Sequence, residues 1–158
     1  MPMTLASPAF AHQGEIPGLF TCQGDDRSPP LVWNGAPADT QSFVLIVDDP
    51  DAPDPAAPKM TWVHWLLYNL PAGTGALAEA VGQAALPPGT LQGITDAKRV
   101  GYHGPCPPIG QHRYYFKLYA LDVLLPDLGQ PTKPALLKAM AGHVLAEAQL
   151  MGTYRKKR

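Results

Sequence analysis

The sequence predicts a mainly β, single-domain protein over residues 1–158, and three observations carry that reading. Nineteen prolines and fifteen glycines punctuate the chain while only 16% of residues are charged, a composition of strands and turns and not of long charged helices. Two apolar runs, Phe43–Val47 and Trp62–Leu70, flank a segment crowded with aspartate, alanine and proline, as two buried strands joined by a rigid acidic loop would. A third run, from about Gln111 to Leu121, alternates apolar and polar side chains.

Taken in order, Leu5–Ser7 is a short strand, followed by the breakers Gly14, Pro17 and Gly18. Pro29 and Pro30 lead into a second short strand, Leu31-Val32-Trp33, stopped by Asn34-Gly35. A proline pair at a strand entry suits an edge or a bend, where missing amide donors do no harm. The acidic loop cannot be helical, because Pro50, Pro53, Pro55 and Pro58 each fix φ and remove a donor. Counting by twos places Phe43, Leu45, Val47 and Asp49 on one face of the first long strand, and Trp62, His64, Leu66 and Tyr68 on one face of the second. The alanine-rich stretch Leu77–Leu86 fits either one or two helical turns or an irregular excursion. Gly101, Gly104, Pro105, Pro107, Pro108 and Gly110 then make a restricted loop that feeds the third strand. There His112, Tyr114, Phe116 and Leu118 face inward, and Arg113, Tyr115, Lys117 and Tyr119 take the wetter side. Thr132 as N-cap, Pro134 in the first turn, and Leu136, Leu137 and Met140 at helical spacing predict a short helix ending at Gly142. Val144–Tyr154 fits helix by its alanines and strand by its alternation.

A chain of this length buries about two thirds of its unfolded surface and folds without a disulfide or metal staple. A net charge of −1 makes no case for nucleic acid. Four of the twelve cations, Arg155 to Arg158, form the C-terminus; that cluster is expected to be a frayed basic tail and not a tether to an anionic surface. The N-terminus lacks the basic start and apolar core of a signal peptide, and no window approaches the roughly 20 apolar residues of a membrane span. A cytoplasmic protein without integral membrane contact is therefore expected. Cys22 and Cys106 can pair in principle, but in a chain without an export signal they are expected as reduced thiols.

Asp49, Asp51, Trp62, His64, His112 and Tyr114 are the residues whose chemistry exceeds packing, and three separate strand ends supply them. Burying even a neutral polar group without a partner costs roughly 2–7 kcal/mol, so these side chains must meet one another, water or a ligand. Taken singly, an inward histidine or an aromatic on an apolar face is more often core. Together, beside two glycine- and proline-rich loops, they are what a preorganised small-ligand site needs.

The motifs Asp49-Pro50-Asp51-Ala52-Pro53, Trp62-Val63-His64-Trp65 and Gly104-Pro105-Cys106-Pro107-Pro108-Ile109-Gly110-Gln111-His112-Arg113-Tyr114, with Ser28-Pro29-Pro30-Leu31 and Ala146-Glu147-Ala148, resemble the phosphatidylethanolamine-binding protein family. That family includes the Raf kinase inhibitor protein, and the chain is most similar to its short prokaryotic YbhB/YbcL branch. The resemblance implies an antiparallel β fold of two packed sheets with a few short helices, and favours strand for Val144–Tyr154. It also implies an anion pocket at one end, lined by Asp49, Trp62, His64, Pro107, Pro108, His112 and Tyr114. Asp51 and Gly104 complete the candidate ligand-binding set.

A phosphate-like anion needs donors, and His64, His112, the Tyr114 hydroxyl and amides near Gly104–Gly110 supply them. Asp49 would then accept from one imidazole and fix its tautomer, or receive the ammonium of an ethanolamine-type ligand. If imidazole charge drives binding, affinity declines as pH rises through the histidine pKa. Two rivals are weighed. Asp49, His64 and His112 loosely resemble a facial metal triad, yet no close-spaced ligand pair supports one, and Cys106 with His112 suggests a thiol nucleophile, yet proline on both sides marks Cys106 as a loop packing residue. A protein-interaction module acting on a kinase or protease is the other, with no inhibitory loop identifiable. No catalytic residue, cofactor or metal is assigned. The expected partners are a small phosphorylated or anionic ligand, a protein of unknown identity, and a second copy of the chain in a homodimer.

Overall fold

The computed structural model describes residues 2–80 and 85–157. Its strands are β1 (Thr4–Ala6), β2 (Leu31–Asn34), β3 (Ser42–Ala52), β4 (Met60–Pro71), β5 (Ala76–Leu77), β6 (Leu91–Gln92), β7 (His112–Leu121) and β8 (Val144–Tyr154), with an α-helix, α1 (Lys133–Met140), and a 3-10 turn at Gly18–Phe20. They form two antiparallel sheets, a small one in the order β1-β2-β5 and a large one in the order β6-β4-β3-β7-β8. The sheets face each other across a core in which Leu5, Leu31, Trp33 and Leu77 of the small sheet meet Phe43, Leu45, Leu67, Phe116 and Leu118 of the large one. The opposite face of the large sheet is closed by α1 and the segment before it, which bring Leu125, Leu136 and Met140 onto Val44, Ile46, Leu66 and Tyr68.

β7 behaves as its alternation predicts: His112, Tyr114, Phe116 and Leu118 are buried and the intervening side chains are more exposed. Strand wins at Val144–Tyr154, where Ala148, Leu150, Gly152 and Tyr154 pair with Leu118, Phe116, Tyr114 and His112. Gly152 must be glycine, since a Cβ there would stand 2.5 Å from Ile16 and 2.8 Å from Phe10. β3 runs on through Pro50, whose missing donor falls where pairing with β4 is irregular between Asp49 and Ala52. The proline pair before β2 lies outside the ladder, and β2 is the centre of its sheet, not an edge. Thr132 caps α1 by accepting from the Ala135 amide, and the helix stops two residues short of Gly142. Of the stretch Leu77–Leu86, β5 takes Leu77, while residues 81–84 lie outside the described residues.

β4 departs from simple alternation. Between Val47↔Trp65 and Asp48↔Val63 the strand carries one extra residue, His64, and between Phe43↔Leu70 and Leu45↔Leu67 another. Near the latter, Asn69 takes φ 59° and its side chain bonds both the amide and the carbonyl of Leu125. Such bulges reset the face a strand presents. Trp62 and His64 therefore point to the inter-sheet side, whereas Leu66 and Tyr68 turn to the helix side, and the four do not share a face as counting by twos predicts.

Two further expectations fail. Cys22 and Cys106 form a disulfide, with Cα atoms 5.4 Å apart. The loops that carry them are also joined by hydrogen bonds: Cys22 N donates to Pro105 O at 3.1 Å, Tyr102 Oη to Phe20 O at 2.8 Å and Gly104 N to Asp26 Oδ1 at 2.8 Å. The reduced state expected from the lack of an export signal is overturned by the bond, because disulfides belong mostly to oxidising compartments. Nor does the C-terminus fray through Lys157. Gln23 accepts from Lys157 N and donates to Lys157 O, at 2.7 and 2.6 Å, and Lys157 Nζ reaches Glu15 at 2.8 Å. Among the described residues, no helix is long and apolar enough to cross a membrane.

Candidate functional site

At one end of the large sheet, where β3, β4 and β7 leave the core, a cavity of about 390 Å³ opens between the acidic loop and the Gly104–Gly110 turn. Seven of the nine sequence-predicted residues line it: Asp49, Trp62, His64, Pro107, Pro108, His112 and Tyr114. Asp51 and Gly104 do not. Asp51 is buried and held by Arg113, whose Nε and amide reach Oδ2 at 2.9 Å and whose Nη2 reaches Oδ1 at 2.8 Å. This pair pulls the Asp51 carboxyl below its usual range. Gly104 permits close approach of two loops, for a Cβ there would fall 2.3 Å from Phe20 O.

Asp49 sits at the end of the apolar row of β3, only 3% exposed. One oxygen accepts from Asp51 N at 2.7 Å and the other from His112 Nδ1 at 2.6 Å. Burial pushes its carboxyl up, against the pull of the His112 hydrogen bond. The far nitrogen of His112, Nε2, lies 2.9 Å from the carbonyl of Ile109. Both nitrogens thus face protein oxygens. The pair is a fixed element of the site, with each Asp49 oxygen already accepting one hydrogen bond from the protein. A facial metal triad would need these same atoms free.

His64 is 4% exposed, and its Nδ1 lies 2.5 Å from the carbonyl of His103, while the His103 amide returns a bond to the His64 carbonyl at 3.0 Å. A carbonyl only accepts, so the proton sits on Nδ1 and Nε2 is left as an acceptor. Burial, ahead of every other influence, pushes the His64 pKa down to about 4, so this ring is neutral near pH 7 and brings no charge. The expectation that His64 donates to an anion is corrected accordingly.

Sequence reasoning missed His103 and Lys59. Both line the cavity. His103 stacks on His64 with ring centres 5.7 Å apart. Arg99 donates to its Nδ1 at 2.6 Å, which leaves the neutral ring protonated on Nε2, a donor. Burial and the neighbouring Arg99 both lower its pKa. No periodicity signals His103, which lies in an irregular glycine and proline loop, and its place beside the Gly104 motif is the only clue. Lys59 lies exposed at the rim, and among the described residues its ammonium has no acidic partner. Tyr114 packs edge-on to His64 at 5.3 Å and parallel to His112 at 6.2 Å. Its hydroxyl and the Trp62 indole N–H have no hydrogen-bond partner among the described residues. Burial and nearby carboxylates raise the Tyr114 pKa, so the phenol keeps its proton and donates. Cys106 forms part of the wall as a disulfide and offers no thiol nucleophile.

A family model described as phosphatidylethanolamine-binding protein matches residues 6–155. A UPF0098 protein of Methanothermobacter thermautotrophicus is 47% identical over 155 residues, covering 98% of this chain and 99% of that one. Among solved structures, a putative phosphatidylethanolamine-binding protein homologue of Chlamydia trachomatis superposes with a TM-score of 0.91 at 45% identity, covering 99% of both chains. Escherichia coli YbcL superposes with a TM-score of 0.89 at 28% identity, over 99% of this chain and all of that one. Motifs, two-sheet architecture and whole-chain similarity agree, and the chain belongs to the phosphatidylethanolamine-binding protein family.

Proposed function

We propose that this protein binds a small phosphorylated or otherwise anionic ligand in the cavity between the acidic loop and the Gly104–Gly110 turn, as a binding protein and not as a catalyst. The observation that carries the reading is the donor set left over after the protein's own bonds are counted. The Tyr114 hydroxyl, the Trp62 indole, the protonated nitrogen of His103 and the Lys59 ammonium remain for a ligand, around a rigid His112–Asp49 pair. Donors fixed in a partly apolar cavity favour an anion because little reorganisation is needed on binding. His64 Nε2, the one acceptor nitrogen, suits a ligand that carries its own proton, such as a phosphate P–OH.

Titration calorimetry with inorganic phosphate and with phosphoethanolamine tests this. Saturable binding that weakens about 5- to 10-fold in Tyr114→Phe is expected, the cost of one neutral donor in a desolvated site. Because the Tyr114 hydroxyl has no protein partner, that variant keeps wild-type stability. Absence of saturable heat at millimolar concentrations of both ligands overturns the reading.

A further inference from the structure

Beyond the aromatic pocket lies a second cavity, also of about 390 Å³, lined by Pro107, Pro108, Gly110, Arg155, Lys156 and Lys157. Pro107 and Pro108 also line the first, so the two share one wall. We propose that this basic cleft is a second anion subsite, and that the protein takes small ligands with two anionic groups, one held in the aromatic pocket and one between the C-terminal strip and the Pro107–Gly110 turn. The proposal rests on the anion-pocket reading and extends it.

Three observations point there. The strip is held in place: Lys157 is bonded through its amide and carbonyl to Gln23, whose Oε1 also accepts from the Tyr154 hydroxyl, and its ammonium pairs with Glu15. Anchoring of Lys157 costs the cleft one cation and fixes the backbone that carries the other two. Arg155 and Lys156 are exposed and have no acidic or carbonyl partner among the described residues. In a chain whose other cations at this end are mostly paired, two free ones beside a cavity are a charge without a counter-charge. The floor is fixed as well, because the disulfide at Cys106 ties the turn to the loop at Cys22, and Gly110 takes φ +72°, where a Cβ would stand 3.2 Å from the Pro55 ring. The Gly110 amide has no partner among the described residues, so a backbone donor joins the two cations. Cations and an amide around a rigid turn suit a phosphate or carboxylate oxygen set. The proline wall sets the spacing between the two subsites, so a ligand must bridge it with a short linker.

The test compares butyl phosphate with the bisphosphates of butane-1,4-diol and hexane-1,6-diol by calorimetry at low salt, in wild type and in Arg155→Ala/Lys156→Ala. Wild type is expected to bind at least one bisphosphate roughly tenfold or more tightly than the monophosphate, an advantage that shrinks as salt screens it. In the double variant the advantage disappears while butyl phosphate binds as before. These side chains are exposed and carry no packing, so the variant folds, and thermal melting confirms it. Equal affinity for mono- and bisphosphates, or an advantage that survives in the variant, overturns this inference alone. Failure of butyl phosphate to bind wild type overturns the pocket reading and this one with it.

Discussion

Reduction of the Cys22–Cys106 bond is expected to cost most of its stability through the unfolded chain and little of its ligand affinity. The two cysteines are 84 residues apart in sequence. In the chain-entropy account, opening a loop of that size removes about 4–5 kcal/mol of stability. For a domain of this length each kcal/mol moves the melting temperature by about 2–4 °C, so a fall of roughly 10–15 °C follows. On the native side three hydrogen bonds, from Cys22 N, Tyr102 Oη and Gly104 N, already join the two loops without the sulfurs. The pocket wall at Cys106 therefore holds, and phosphate affinity should change by less than about threefold, under 1 kcal/mol. Cys22 is exposed and Cys106 half-buried, so a thiol reductant reaches the bond. Denaturant unfolding of the oxidised protein, the reduced protein and Cys22→Ala/Cys106→Ala measures the first quantity, and calorimetry the second. Coincident unfolding midpoints, or two free thiols titrated in the native protein, would refute the reasoning.

Three other outcomes are expected. His64 has a folded pKa of about 4 against 6.5 when exposed, so the unfolded chain binds more protons between those values. Its contribution is whole above pH 6.5 and is lost as pH falls toward 4, up to roughly 3 kcal/mol; a His64→Phe variant should show a flatter stability profile over that window, and an unchanged slope counts against it. Asp48 is fully buried and held by Lys117 at 3.2 Å and Lys133 at 2.7 Å, so removing either lysine should cost about 1 kcal/mol. Removing both should cost more than the sum, because the carboxylate is then left alone; strict additivity in a double-mutant cycle would argue otherwise. If His64 accepts from a ligand P–OH, binding of a phosphomonoester, whose second pKa is about 6, should weaken by up to ~50-fold from pH 6 to pH 8 while sulfate, which carries no proton, stays flat. A parallel decline of both anions would assign the effect to imidazole charge instead.

How much of this was legible in the sequence follows from where the backbone is regular. β7 carries no bulge until Ala120, and counting by twos placed His112, Tyr114, Phe116 and Leu118 together as the structure has them. β4 carries two extra residues, and the same count put Leu66 and Tyr68 on the wrong face. Bulges leave little trace in composition; only Asn69, a residue tolerant of φ > 0, hints at one. The disulfide escaped because compartment, a property outside the chain, was weighed above the geometry that brings Cys22 beside Pro105. The basic terminus looked frayed because its anchor, Gln23, lies 134 residues away in an unremarkable polar turn.

The bulge at His64 does more than confound a count. Regular alternation would put consecutive residues on opposite faces, yet His64 and Trp65 both look into the space between the sheets, His64 against Tyr114 and Trp65 against Tyr102. The extra residue lets one strand keep a tryptophan in the core and still deliver an imidazole to the cavity next to it. β3 solves the neighbouring problem by alternation alone. Asp48 turns to the helix side, where Lys117 and Lys133 neutralise it, and Asp49 turns to the cavity, where it holds His112. Adjacent carboxylates are thereby separated into one that serves the fold and one that serves the site. Moving either register by one residue would place a lysine-paired acid in the cavity and leave His112 without its partner, so the geometry of the pocket is set by the sheet beneath it.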